Sequence, residues 1–164
     1  MEEAQTNERR TERSAHAIYG LIIVTAALVA DREFAEDAWT SLVVVWGAGV
    51  VLLLAHLYAA IVAEAGTRGR LSSHAERHLL IADNLPLLSS VLLPTVLLTL
   101  SGLGLLELRS AIDLSIAAAI VALFAVGAYQ GRASGSSVAV WVAVGMLGAA
   151  MGAAIILLEV MLAH

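Results

Sequence analysis

The sequence predicts an all-α membrane protein of five spanning helices, and three observations carry that prediction. First, five stretches (Ser14–Ala30, Ala38–Ala63, Asn84–Leu106, Leu114–Gly131 and Ala133–Leu158) contain no Asp, Glu, Lys or Arg. A helix rises about 1.5 Å per residue, so roughly 20 residues cross a hydrocarbon layer of ~30 Å. Second, of 164 residues 60% are hydrophobic and only 14% are charged, too few to give every helix a charged outer face in water. Third, a bilayer requires each spanning segment to satisfy its own backbone, so β-branched runs such as Val43–Val45 are read as helix.

Residues 1–13, with four Glu and three Arg, are expected to form a cytoplasmic N-terminal segment, and residues 14–164 a single transmembrane domain. Ala30–Asp31 loosely suggests a leader cleavage point. Leu28 stands where a small residue is wanted, however, and the leading segment is not basic, so an uncleaved first helix is expected. The second helix should end near Gly66 and Gly69. Ser73–Glu76 has capping-box spacing, which lets a third helix begin at the inner surface and enter the membrane near Leu79. Ser134–Ser137 is a short turn that makes helices four and five antiparallel neighbours. Trp39 at one interface, with Tyr129 and Trp141 at the other, fits aromatic belts.

Arginine sets the orientation. All nine basic residues are Arg, and seven of them (9, 10, 13, 68, 70, 77 and 132) fall on one side of the predicted spans, against Arg32 and Arg109 on the other. The positive-inside rule then puts the N-terminus in the cytoplasm and, after five spans, the C-terminus outside, in a multi-pass protein of the cell membrane. Asp31, Glu33, Glu36 and Asp37 make the first outer loop acidic. The net charge of -5 and the absence of an Arg cluster argue against a nucleic-acid partner. With no cysteine there are no disulfides, thiolate metal sites or thiol nucleophiles.

The fifth helix suits close contact. Gly148 and Gly152 form a GxxxG, extended by Gly145, Ala149 and Ala153, and small residues let backbones approach where lipid supplies no hydrophobic force. The fourth helix offers Ala111, Ser115, Ala118, Ala122 and Ala125 in return. Packing of these two helices within one chain is the expected use, and a subunit interface the alternative.

Ionisable groups in the membrane cost of order 3 kcal/mol or more and must be accounted for one by one. Glu159 is placed at the outer interface, and Arg109 is expected to pair with Asp113 one turn on. His16, His56, Asp83 and Asn84 all fall in the inner third of the membrane, with Tyr19 one turn beyond His16. From the nearest flanking charge, His16, His56 and Asp83 lie roughly 5, 12 and 9 Å deep. Pro86 and Pro94 cannot donate to the carbonyls of Ala82 and Ser90, which leaves acceptors free. Mutual satisfaction across helices accounts for this cluster without any function. A path for protons or monovalent cations is the second possibility. A metal site from His16, His56 and Asp83 is the third and weakest, because three ligands on separate helices match no spacing motif. His74-Ala-Glu-Arg-His78 lacks the Glu adjacent to its first His that a metalloprotease uses, and an exposed helical turn is expected there.

The order of these features resembles the bacterial relatives of the endolysosomal potassium channel family. The similar residues are Arg13-Ser-Ala-His-Ala-Ile-Tyr-Gly20, then Leu54-Ala55-His56, then Asn84 with Pro94 ten residues later. Ala17-Ile18-Tyr19 stands where that family has Phe-Ser-Asp, and five helices replace its six. The resemblance implies that Arg13, His56 and Asn84 form a packing network behind a pore lined by the first helix. Ile18, Ile22 and Ile23 would then lie near its constriction. The expected function is a small homo-oligomeric membrane protein that conducts ions or responds to protons. A non-conducting scaffold is the alternative, and neither a cofactor nor an enzymatic activity is expected: no nucleophile elbow, phosphate loop or paired carboxylates stand at the membrane surface.

Overall fold

The computed structural model describes residues 2–68, 85–133 and 135–162, and all of the regular structure among them is helical. Helix α1 spans Glu2–Asp31 and α2 spans Ala38–Arg68. A 3-10 turn over Leu85–Leu88 leads into α3, Ser89–Gly102; α4 spans Leu108–Ala133 and α5 spans Val138–Leu162. Three of these, α2, α4 and α5, contain apolar stretches of 26, 26 and 20 residues, long enough to cross a membrane. The apolar parts of α1 (Ala15–Asp31) and α3 are shorter. Together the 3-10 turn and α3 extend roughly 29 Å at standard rises.

Two boundaries depart from the sequence expectation. Helix α1 starts at Glu2, so residues 2–13 extend the apolar helix as helix. Glu, Gln, Ala and Arg are good helix formers, and Glu2 and Glu3 sit at the positive end of the helix dipole. Helix α3 stops at Gly102, although the uncharged run continues to Leu106. There Gly104 turns left-handed at φ 76°. Its N–H donates to the Ser101 carbonyl at 2.9 Å, and the Leu105 N–H reaches back to Leu100 at 3.0 Å. This is the Schellman pair of bonds, which satisfies end carbonyls that apolar side chains cannot.

Helix α2 begins on an N-cap. Asp37 Oδ1 accepts the backbone N–H groups of Trp39 (2.8 Å) and Thr40 (3.0 Å), and Oδ2 accepts the Thr40 hydroxyl at 2.6 Å. The Thr40 hydroxyl, followed by the two backbone donors, holds the carboxyl below the usual carboxylate range. A lowered folded-state pKa means the cap contributes fully above the ordinary range and is lost as pH falls through the folded value. Thermal melting between pH 7 and pH 3 should therefore lose an acid-dependent component in Asp37→Asn, whose amide oxygen caps without titrating. Equal acid sensitivity in the two proteins would contradict this role.

Helix α1 is the hub and touches all four other helices. Chain direction alternates through the bundle. The ends of α1 and α3 meet the starts of α4 and α2, as Arg32 pairs with Asp113 and the Trp39 ring lies over Gly102. At the opposite end, Gly20 of α1 faces Leu87 and Ser90, and Gly131 of α4 faces Trp141 of α5. A buried cluster including Val24, Leu28, Val45, Val91, Leu98 and Ile112 joins α1 to α4. Three buried hydroxyls are satisfied locally: Thr25 donates to Leu21 and Ser115 to Ala111 within their own helices, and Ser90 to Leu87 of the 3-10 turn, at 2.6–2.7 Å. Such local bonds satisfy these three hydroxyls with no help from a neighbouring helix.

The partner of Asp113 is Arg32, 81 residues away, in place of the expected Arg109. The guanidinium Nε lies 2.7 Å from Oδ1 and Nη2 lies 3.3 Å from Oδ2, a two-point contact that an i,i+4 pair seldom achieves. Both side chains are about half exposed (46% and 50%), so the pair contributes roughly 0.2–1 kcal/mol and acts mainly to align the α1 and α4 ends.

Candidate functional site

The site is built where the start of the apolar part of α1 (Ala15–Asp31) meets the second half of α2. His16 and His56 lie edge to face, ring centroids 5.6 Å apart at 88°, and the Tyr19 ring is 5.8 Å from His56. The alternating chain direction produces this meeting, since it sets the beginning of α1's apolar part beside the second half of α2. His56 Nδ1 lies 3.2 Å from the carbonyl of Leu52 one turn back. A carbonyl only accepts, so the neutral ring carries its proton on Nδ1 and its lone pair on Nε2. His16 Nδ1 is buried and has no hydrogen-bond partner among the described residues. One imidazole is thus oriented by its own helix, and the other holds an unused nitrogen beside it.

The arrangement is thus two imidazoles in edge contact with one phenol ring, that of Tyr19, beside them. No group of three or more His, Cys, Asp or Glu able to hold a metal occurs among the described residues. Asp83, Asn84 and the His74–His78 segment lie outside the described residues, as do the side chains of Arg13 and Glu159.

The three isoleucines of α1 separate. Ile23 is 39% exposed and lies one turn from the exposed Tyr19 (54%) on an open stripe of the hub helix, while Ile18 and Ile22 are half-buried against neighbours.

Small residues are used differently from the sequence expectation. On α5 the face toward α4 is Gly145, Gly148 and Gly152; Ala149 is half-buried and Ala153 is exposed. A Cβ on Gly148 would sit 2.7 Å from the Leu123 carbonyl oxygen, and one on Gly145 2.9 Å from that of Phe124. The α4 residues that answer are Gly127 and Gly131, not the alanine stripe: added Cβ atoms would lie 2.8 Å from the Val144 carbonyl oxygen and 2.5 Å from Trp141 Cα. Gly127-x-x-x-Gly131 repeats the GxxxG spacing and was the available signal. Ser115, Ala118 and Ala122 instead face a cavity of about 260 Å³ walled by α1, α3 and α4. Ala111 joins the buried cluster, and Ala125 is exposed.

Comparison with protein-family models, with curated proteins and with solved structures gives no match. The site's own geometry therefore carries the functional argument.

Proposed function

We propose that the chain is a five-span protein of the cell membrane, N-terminus in the cytoplasm, that assembles into a homo-oligomer and passes monovalent cations or protons under the control of the His16–His56 pair. The helices α2, α4 and α5 are long and apolar enough to span, and α1 and α3 share their bundle with alternating direction. The Arg distribution supports the orientation.

The observation that carries the function is the convergence of two imidazoles and a tyrosine between two largely apolar helices. Ionisable groups at that depth are costly and mark ion or proton pathways. Conduction requires a shared axis, and the open stripe of α1 at Tyr19 and Ile23 is the surface offered to one. The resemblance of residues 13–100 to the bacterial relatives of the endolysosomal potassium channel family names the same helix, without that family's Phe-Ser-Asp.

Reconstitution into liposomes tests this. Purified protein should raise K⁺, Na⁺ or H⁺ flux above that of empty vesicles, and flux equal to empty vesicles for all three would remove the proposal. The competing role is a non-conducting scaffold, favoured if the protein is a monomer in detergent and silent in vesicles.

A further inference from the structure

The cavity between α1, α3 and α4 belongs neither to the histidine pair nor to the glycine interface. Its wall is built from Ala17 and Leu21 of α1, Leu93 and Pro94 of α3, and Ala118 and Ala122 of α4, with other small residues between them. At about 260 Å³ it exceeds the ~150 Å³ apolar cavity that suffices to hold benzene and stays dry when empty. The two buried hydroxyls in its wall, Ser90 and Ser115, already donate to Leu87 and Ala111, so the wall asks for no polar occupant. Pro94, buried in α3, brings a ring and no N–H to the lining. The rim residues Ser89 and Leu93 are exposed on the outside of α3, so the cavity is continuous with the surface that the membrane would cover.

We propose that this cavity is a binding site for one hydrocarbon chain of a bilayer lipid, inserted past Leu93 to lie against Ala118, Ala122 and Leu21. Methyl walls, satisfied hydroxyls and a lateral opening select an unbranched apolar chain over water, an ion or a polar metabolite. Alanines on two helices make the room, since leucine at those positions would fill it. Ala17 is part of the wall and adjoins His16, so an inserted chain bears directly on the helix that carries the imidazole. This inference rests on the chain residing in a bilayer, and its test separates the two claims.

The full-length protein is reconstituted in phosphatidylcholine vesicles doped with a phosphatidylcholine bearing a mid-chain diazirine, irradiated, and its adducts mapped by mass spectrometry. Cavity adducts are expected at Ala122 and Leu21, and others at Leu93 of α3 and Val51 and Leu54 of α2, which are exposed (48%, 66% and 59%) and report simple contact with lipid. Ala122→Leu should reduce the cavity adducts about tenfold, because several chain methylenes lose their burial, while the α2 adducts persist. Ala118→Leu serves the same purpose if Ala122→Leu does not fold. Adducts on α2 and at Leu93 alone, or cavity adducts unchanged in both variants, would overturn the lipid-chain site while leaving the membrane reading intact. An absence of adducts at every position would overturn both.

Discussion

Replacing Gly131 with leucine is expected to separate α4 from α5 and to cost about 3 kcal/mol, near the upper end for overpacking. At this position even a methyl group would stand 2.5 Å from Trp141 Cα and 2.6 Å from its Cβ. Flexible side-chain ends can move aside, but the Cα of a neighbouring helix moves only with the helix. The same holds for Gly127 and Gly148, each blocked by a carbonyl oxygen across the interface. Gly47 on α2 supplies the contrast: nothing lies within 4 Å of its added Cβ. Gly47→Ala should be neutral or stabilising by up to about 1 kcal/mol, the helix-propensity gain. Unfolding in mixed micelles, followed by helical circular dichroism, compares the two. A Gly131→Leu protein within about 0.5 kcal/mol of wild type would show that α4 and α5 do not meet this closely.

The second large effect is expected in the pH profile of transport. Wild-type flux should depend on pH, because the imidazole is the side chain suited to switching charge under physiological conditions. His16→Ala and His56→Ala should each flatten that profile, since either change leaves a single imidazole without its neighbour at 5.6 Å. Tyr19→Phe keeps the ring beside His56 and should retain the pH response, so loss of the response in all three would indicate general damage to the packing of α1 on α2. Profiles unaltered in both histidine variants would assign the pair a purely structural task.

Much of this architecture could be read from the residues, for reasons that differ between elements. The apolar bodies of α2, α4 and α5 are visible because charge is excluded from them over a membrane's width. The meeting of His16 with His56 follows from depth, as alternating helices return to the same level. The stop at Gly102 lies hidden inside an apolar run, because backbone turning at Gly104 ends α3 where side-chain chemistry does not change. Asp37 has an N-cap's signature, an Asp immediately before an apolar run, yet in the sequence it is one of four acids of a loop. Arg32–Asp113 was out of reach, since a local partner for Asp113 was available at Arg109 and nothing in a sequence ranks a contact 81 residues away. The alanine stripe of α4 shows the limit of periodicity: it marks a face and leaves open whether a helix or a cavity lies opposite.

The central position of α1 has a consequence for biosynthesis. It precedes its four neighbours in the chain, and its Val24, Thr25 and Leu28 surface is closed only by helices translated later. At about 5–20 residues per second, the hundred or so residues between α1 and α5 take roughly 5–20 s to emerge. Through that interval the nascent hub must shelter against lipid, the insertion machinery or a sister chain. Ribosome pausing late in the message should therefore matter more to yield than pausing near its start.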